Sequence, residues 1–164
     1  MIETNSIKAW YLAARPKTLT AAAVPVLLGI ALAYKDAQQI QTLPALLCLL
    51  FAWVMQIDSN LVNDYFDFKH GNDDETRLGP KRACAEGWIT LGAMKWGIIL
   101  TTLLGCAIGL PLVLFGGWEM VIVGICCVGL LFSSILPVSA IWAWAIFWYC
   151  SSSALYPYAA HTIS

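Results

Sequence analysis

Charge is scarce in this sequence. Asp, Glu, Lys and Arg make up 12% of its 164 residues, about half of the ~25% usual in a soluble domain. Hydrophobic residues make up 60%, and the mean hydropathy is +0.73. A soluble fold of this length has too little interior for that much apolar surface, so the composition predicts the bilayer as solvent. The net charge of −1 argues against a nucleic-acid partner and against a polybasic membrane-surface protein. Histidine is rarer still, with only His70 and His161, and none of the six cysteines forms a C-x-x-C pair. Cys48, Cys106, Cys126, Cys127 and Cys150 fall within apolar runs and Cys84 in a polar loop. These shortages speak against a zinc centre or a disulfide scaffold and leave cysteine as a small filler of membrane helices.

What the chain does have is long apolar runs: Leu19 to Tyr34, Leu43 to Val62, Leu91 to Phe115, and a fourth from about Met120. Each reaches, with its flanks, the ~20 residues that a membrane helix needs. Pro25 and Gly29 are tolerated in such a helix and predict a kink in the first. A cleaved signal ending at Ala31-Leu32-Ala33 competes for that run, but a long polar lead and the mid-run proline oppose it. Gly105 and Gly109 stand in the G-x-x-x-G spacing that lets helices approach closely. The expected fold is therefore all-α, a polytopic transmembrane bundle of about four helices forming a single membrane domain over residues 1–164. Of nine basic residues, eight flank the same ends of these runs: Lys8, Arg15, Lys17, Lys69, Arg77, Lys81, Arg82 and Lys95, against Lys35 alone. The positive-inside rule places those ends, and the N-terminus, on the cytoplasmic side of the cell's inner membrane.

The remaining charge is concentrated. The stretch NDYFDFKHGNDDETRLGPKR, residues 63–82, holds five of the ten acidic residues and four of the nine Lys and Arg. If Met55 to Asp67 is helical, Gln56, Asn60, Asn63, Asp64 and Asp67 fall within an arc of about 100°. Polar groups at membrane depth are costly and usually face a cavity or the bundle interior. For Gln56 or Asn60 alone, interhelical hydrogen bonding explains the position equally well. Two acids on the same stripe point to chemistry. Asp64 and Asp67, one turn apart, can share a hard divalent cation. Mg2+ favours oxygen ligands and commonly binds through one or two carboxylates plus substrate phosphates. Asn63 adds a neutral oxygen and Asp73 a further carboxylate, while Arg77, Lys81 and Arg82 suit diphosphate oxygens. For Lys69, Asp74 and Glu75 a solvated loop of mixed charge is the lesser, alternative reading. Asp58 points away from the stripe and is left outside the site, with a partner on another helix as its expected role. The interface position suits a substrate with a charged head and a long apolar tail.

Two segments, ARPKTLTAAAVPVLLGIALA from Ala14 and NDYFDFKHGNDDETRLGPKR from Asn63, resemble the UbiA superfamily of intramembrane prenyltransferases. More narrowly, they are similar to its menaquinone branch, the 1,4-dihydroxy-2-naphthoate polyprenyltransferases. The residues that carry the resemblance are Arg15-Pro16-Lys17-Thr18, the N-D-x-x-D of Asn63, Asp64 and Asp67, and Arg77, Gly79, Pro80 and Arg82 in R-x-G-P-x-R. A third acid common in the superfamily is replaced by Gly71 and looks displaced onto Asp73. The resemblance implies Mg2+-dependent transfer of a polyprenyl group from polyprenyl diphosphate to 1,4-dihydroxy-2-naphthoate, or to another aromatic acceptor. It implies Asp64 and Asp67 as catalytic residues and Asn63, Asp64 and Asp67 as metal ligands. Asn60, Asn63, Asp73, Arg77, Lys81 and Arg82 become the substrate-binding set, with Gln56 and Asn60 deeper, toward the acceptor.

The resemblance runs from about Lys8 to Leu131. The family has about nine transmembrane helices and a second aspartate-rich loop, whereas here no acid follows Glu119. The segment from residue 132, with Trp142, Trp144 and Trp148 and then a Ser/Tyr/Pro end, has a different character. The expectation is a family-like part over 1–131 and a divergent tail over 132–164, produced by a frameshift or early end, with little transfer by this chain alone. An inactive fragment or non-catalytic membrane subunit is the alternative. An ion transporter would need further mid-membrane charge in the other helices, which they lack.

Overall fold

The computed structural model describes residues 2–70, 81–116, 121, 122 and 125. Among them are four helices and no strand: α1 Ile7–Ala14, α2 Pro16–Ala37, α3 Thr42–His70 and α4 Leu91–Gly116. The last three are long and apolar enough to cross a membrane. The first three apolar runs thus fold as the sequence predicts, into one all-α bundle. Of the fourth run only Val121, Ile122 and Ile125 are described, all helical. The segment from residue 132 lies outside the described residues.

The helices α2 and α3 extend beyond their apolar runs, because polar residues at their ends continue the backbone hydrogen bonding, whereas α4 coincides with its run but for Gly116. Thus α3 carries the stripe and continues to Lys69 and His70 in its last turn, where basic side chains offset the exposed carbonyls. Pro25 and Pro111 lie inside α2 and α4, both of which continue through them.

The sequence reading places residues 7–14 in a polar lead, yet their sequence, IKAWYLAA, is apolar but for Lys8, and they form α1. Ser6 caps it by accepting from the Ala9 amide at 3.3 Å, and Ala9 and Ala13 bury its inner face. It stops at Arg15, whose φ of 50° is left-handed, a conformation costing a non-glycine residue about 1–2 kcal/mol. Pro16 then opens α2, where its missing N–H is no loss. The outer faces of α2 and α4 expose Val24, Leu27, Leu28, Leu100, Leu103, Leu104 and Leu110, as a lipid-facing surface does.

The centre of the bundle is the contact of α3 with α4. Gly97, Thr101, Gly105 and Gly109 recur every four residues on α4, one face of a helix. An added Cβ at Gly105 would lie 2.6 Å from Met55 Sδ, and at Gly109 3.2 Å from Phe51 Cε2. The spacing expected to permit close approach therefore does so. Asp58, fully buried, accepts hydrogen bonds from the hydroxyls of Thr101 and Thr102. The partner expected for it on another helix is this threonine pair. Such bonds within a membrane contribute about 0.6 kcal/mol on average and up to about 1.7. Asp58→Ala is expected to lower stability in a detergent unfolding titration by about 1–2 kcal/mol; an unchanged midpoint would show that these bonds hold nothing together.

Candidate functional site

The polar stripe of α3 faces the α1–α2 break and the segment that leads into α4. Asn60 Nδ2 donates to Ala14 O and to Thr18 Oγ1, both at 2.9 Å. Thr18 in turn donates to Arg15 O at 2.9 Å, and Gln56 Nε2 donates to Asn60 Oδ1 at 3.4 Å. Asn60 therefore satisfies the last carbonyl of α1 and fixes the left-handed turn at Arg15. These bonds tie Arg15-Pro16-Lys17-Thr18 to the stripe. Asn60 meets protein groups with both its nitrogen and its oxygen.

Residues 81–90 fold over the end of α3. Glu86 N donates to Arg82 O at 3.0 Å and Trp88 N to Ala83 O at 2.8 Å, closing a tight turn. Gly87 ends it with φ of 68°, a left-handed conformation that glycine adopts freely. The N-terminal segment clamps the far side: Asn5 N donates to Trp88 O at 2.8 Å, and Asn5 Oδ1 accepts from Thr90 N at 3.2 Å. Ala83, Cys84 and Ile89 from this turn join Ala9, Ala13, Leu61, Val62 and Met94 in one buried cluster. The turn is thus a packed wall of the bundle.

Asp64 lies beneath this turn, 1% exposed. Its Oδ2 accepts from Ala83 N at 2.8 Å and its Oδ1 from Cys84 N at 3.1 Å. Asp67, one turn on, forms an ion pair with Arg82. Arg82 is 6% exposed and also donates from Nη1 to the backbone carbonyl of Asn63 at 2.9 Å. Lys81 points outward and pairs with Glu86 at 3.3 Å. Lys95 of α4 sits 5.8 Å from the Tyr65 ring centroid, in cation–π range. The ends bearing Lys8, Arg15, Lys17, Lys69, Lys81, Arg82 and Lys95 come together, and Lys35 lies at the other end of α2.

The structure brings Asn60, Asn63, Asp64, Asp67 and Arg82 to one end of α3, as the stripe predicts. It does not aim them at one point. Asp64 turns to backbone amides and Asp67 to a guanidinium, where the sequence reading turns both to one cation. Asp73 and Arg77 lie outside the described residues. Among those described, no three His, Cys, Asp or Glu side chains gather as a metal site. Asn63 and Asp67 do suit an oxygen-seeking ion: they are one turn apart on one face, Asn63 is exposed, and the Asp67 side chain is 31% exposed. Sequence reasoning missed the amides of Ala83 and Cys84, which carry no side-chain signal. It also missed Thr18 as the partner of Asn60, although the hydroxyl stands in the quoted motif.

A model of the UbiA prenyltransferase family matches residues 22–163, and so extends past the change of character near Phe132. The chain is similar to the 1,4-dihydroxy-2-naphthoate octaprenyltransferase of Escherichia coli, at 43% identity over 111 residues, which cover 68% of this chain and 36% of that protein. It is similar to the protein of the same name from Haemophilus influenzae, at 41% over 97 residues, covering 58% and 32%. UbiA prenyltransferase domain-containing protein 1 of Dictyostelium discoideum is 33% identical over 104 residues, covering 63% and 31%. The chain spans about a third of the length of these curated relatives. No solved structure matches it.

Proposed function

This chain belongs to the UbiA prenyltransferase family, and from that premise we propose that it serves Mg2+-dependent transfer of a polyprenyl group from polyprenyl diphosphate to 1,4-dihydroxy-2-naphthoate, a step of menaquinone biosynthesis. The observation that carries the reading is the meeting of Asn63, Asp67 and Arg82 at the polar end of an otherwise apolar bundle. Acids and bases gathered there suit a metal-bridged diphosphate, and lipid-facing helices beside them suit an isoprenoid tail. The names of the two bacterial relatives support the choice of acceptor.

Asn63 and Asp67, with Asp73 from the charged loop, would hold Mg2+, which when bound offsets negative charge on the departing diphosphate. Arg77, Lys81 and Arg82 of the charged stretch would bind the diphosphate oxygens, a guanidinium by its paired donors. Asn60 and Gln56 would set the depth of the site by holding the α1–α2 break against α3. The apolar walls would exclude water, which would otherwise intercept an ionising allylic group. We place these residues at the cytoplasmic face of the inner membrane, with the N-terminus cytoplasmic, because eight of nine basic residues flank that end.

The test is synergy between metal and diphosphate. In nanodiscs, farnesyl diphosphate is expected to tighten Mn2+ binding to the chain at least tenfold, followed by electron paramagnetic resonance. Membranes holding the chain are then assayed for a prenylated naphthoate product that disappears with EDTA, of which little is expected from this chain alone. Metal binding that is indifferent to the diphosphate would sink the reading.

A further inference from the structure

We propose that Asp64 is a positioning residue: it fixes the turn that presents Arg82 to Asp67, and it is not itself a metal ligand. The inference rests on the prenyl-transfer reading for the role of Arg82, but its geometry stands alone. A tight helical turn leaves its first amides without partners in the chain. In the turn after Arg82 the Ala83 and Cys84 amides find them on Asp64, at 2.8 and 3.1 Å. Asp64 thus acts as a helix cap does, but from 19 and 20 residues upstream. Each carboxylate oxygen takes one amide, and such charge-assisted bonds are strong. The residue next to those amides is Arg82, itself almost wholly buried and joined to Asn63 O and Asp67. Pinning Ala83 and Cys84 therefore sets where the Arg82 backbone stands and how far its guanidinium reaches.

For Asp64 to turn to a cation it would have to leave two buried amides, at a place too dry for water to replace it. Asn63 and the part-exposed Asp67 stand on the accessible side of the same helix end, where Asp67 meets the Arg82 guanidinium and no buried amide depends on it. The two aspartates of N-D-x-x-D thereby divide the work, Asp67 facing the ligand and Asp64 holding the wall that faces it.

Amide exchange by NMR on the chain in micelles containing EDTA tests the cap. Ala83 and Cys84 amides are expected to exchange at least tenfold faster in Asp64→Asn than in wild type, and at wild-type rates in Asp67→Asn. Mn2+ affinity, measured without diphosphate, is expected to change less than threefold in Asp64→Asn and to fall at least tenfold in Asp67→Asn. General unfolding would lower metal binding in both, so the split separates positioning from mere structure. Equal loss of Mn2+ affinity in the two variants, or unchanged Ala83 and Cys84 exchange in Asp64→Asn, overturns the proposal. If Asp64→Asn does not fold, the wild type decides: adding Mg2+ with inorganic pyrophosphate should leave both amides protected, and their release would show Asp64 moving to the metal. If the wild type binds no Mn2+, the proposed function fails, and exchange in EDTA still decides the cap.

Discussion

Asp67→Asn is expected to weaken binding of Mn2+ with farnesyl diphosphate at least a hundredfold, about 2.7 kcal/mol, while the bundle stays folded. The choice of asparagine matters. Arg82 is buried and paired with Asp67, and removing one partner of a buried ion pair costs about 3–5 kcal/mol. Asp67→Ala would therefore confuse a lost ligand with a stranded guanidinium. Asparagine keeps a hydrogen-bonding oxygen toward Arg82 but leaves its charge uncompensated, so folding is expected to weaken by about 1–3 kcal/mol, less than in Asp67→Ala. Metal binding weakens as well, because Mg2+ and Mn2+ depend on anionic oxygen. Calorimetric or resonance titration of the variant, with a detergent unfolding curve beside it, separates the two effects. Affinity within threefold of wild type would remove Asp67 from the metal site.

Gly97→Ala is expected to destabilise the protein by about 2 kcal/mol and to free α1, although alanine favours a helix by about 1 kcal/mol over glycine. The added Cβ would lie 2.6 Å from both Cη2 and Cζ3 of Trp10. An indole is a rigid plate and cannot yield at one atom, so α1 must move as a unit. Overpacking of this kind costs about 1–3 kcal/mol, and displacing Trp10 forfeits part of its buried contact as well. Gly105→Ala is the control. Its Cβ also meets an atom at 2.6 Å, but that atom is Met55 Sδ, the end of a flexible thioether. There the helix gain and the small shift nearly cancel. Unfolding midpoints, with trypsin cleavage at Lys8 as a reporter of α1, check the difference. A larger penalty at Gly105 than at Gly97 would contradict this account of the packing.

The sequence by itself determined the membrane class, the three long helices and the end of α3 where the polar side chains gather. Apolar run length and helical periodicity are local properties, and a bilayer makes them decisive because it leaves backbone groups no other partners. The same periodicity put Asn60, Asn63, Asp64 and Asp67 on one face and left Asp58 off it, and both placements hold. The quoted motifs also point to the family. Tertiary structure alone decided what each of these groups touches. Asp64 and Asp67 are one helical turn apart, and periodicity assigns them one role. Ala83 and Cys84 amides take one carboxylate and Arg82 takes the other, because the turn over residues 82–87 folds back onto the end of α3. No residue type marks a backbone amide as a partner, and no spacing rule links positions 64 and 83. The short α1 was hidden for a related reason: its stability comes from Asn60, Trp10 and Gly97, contacts between segments that are distant in the chain.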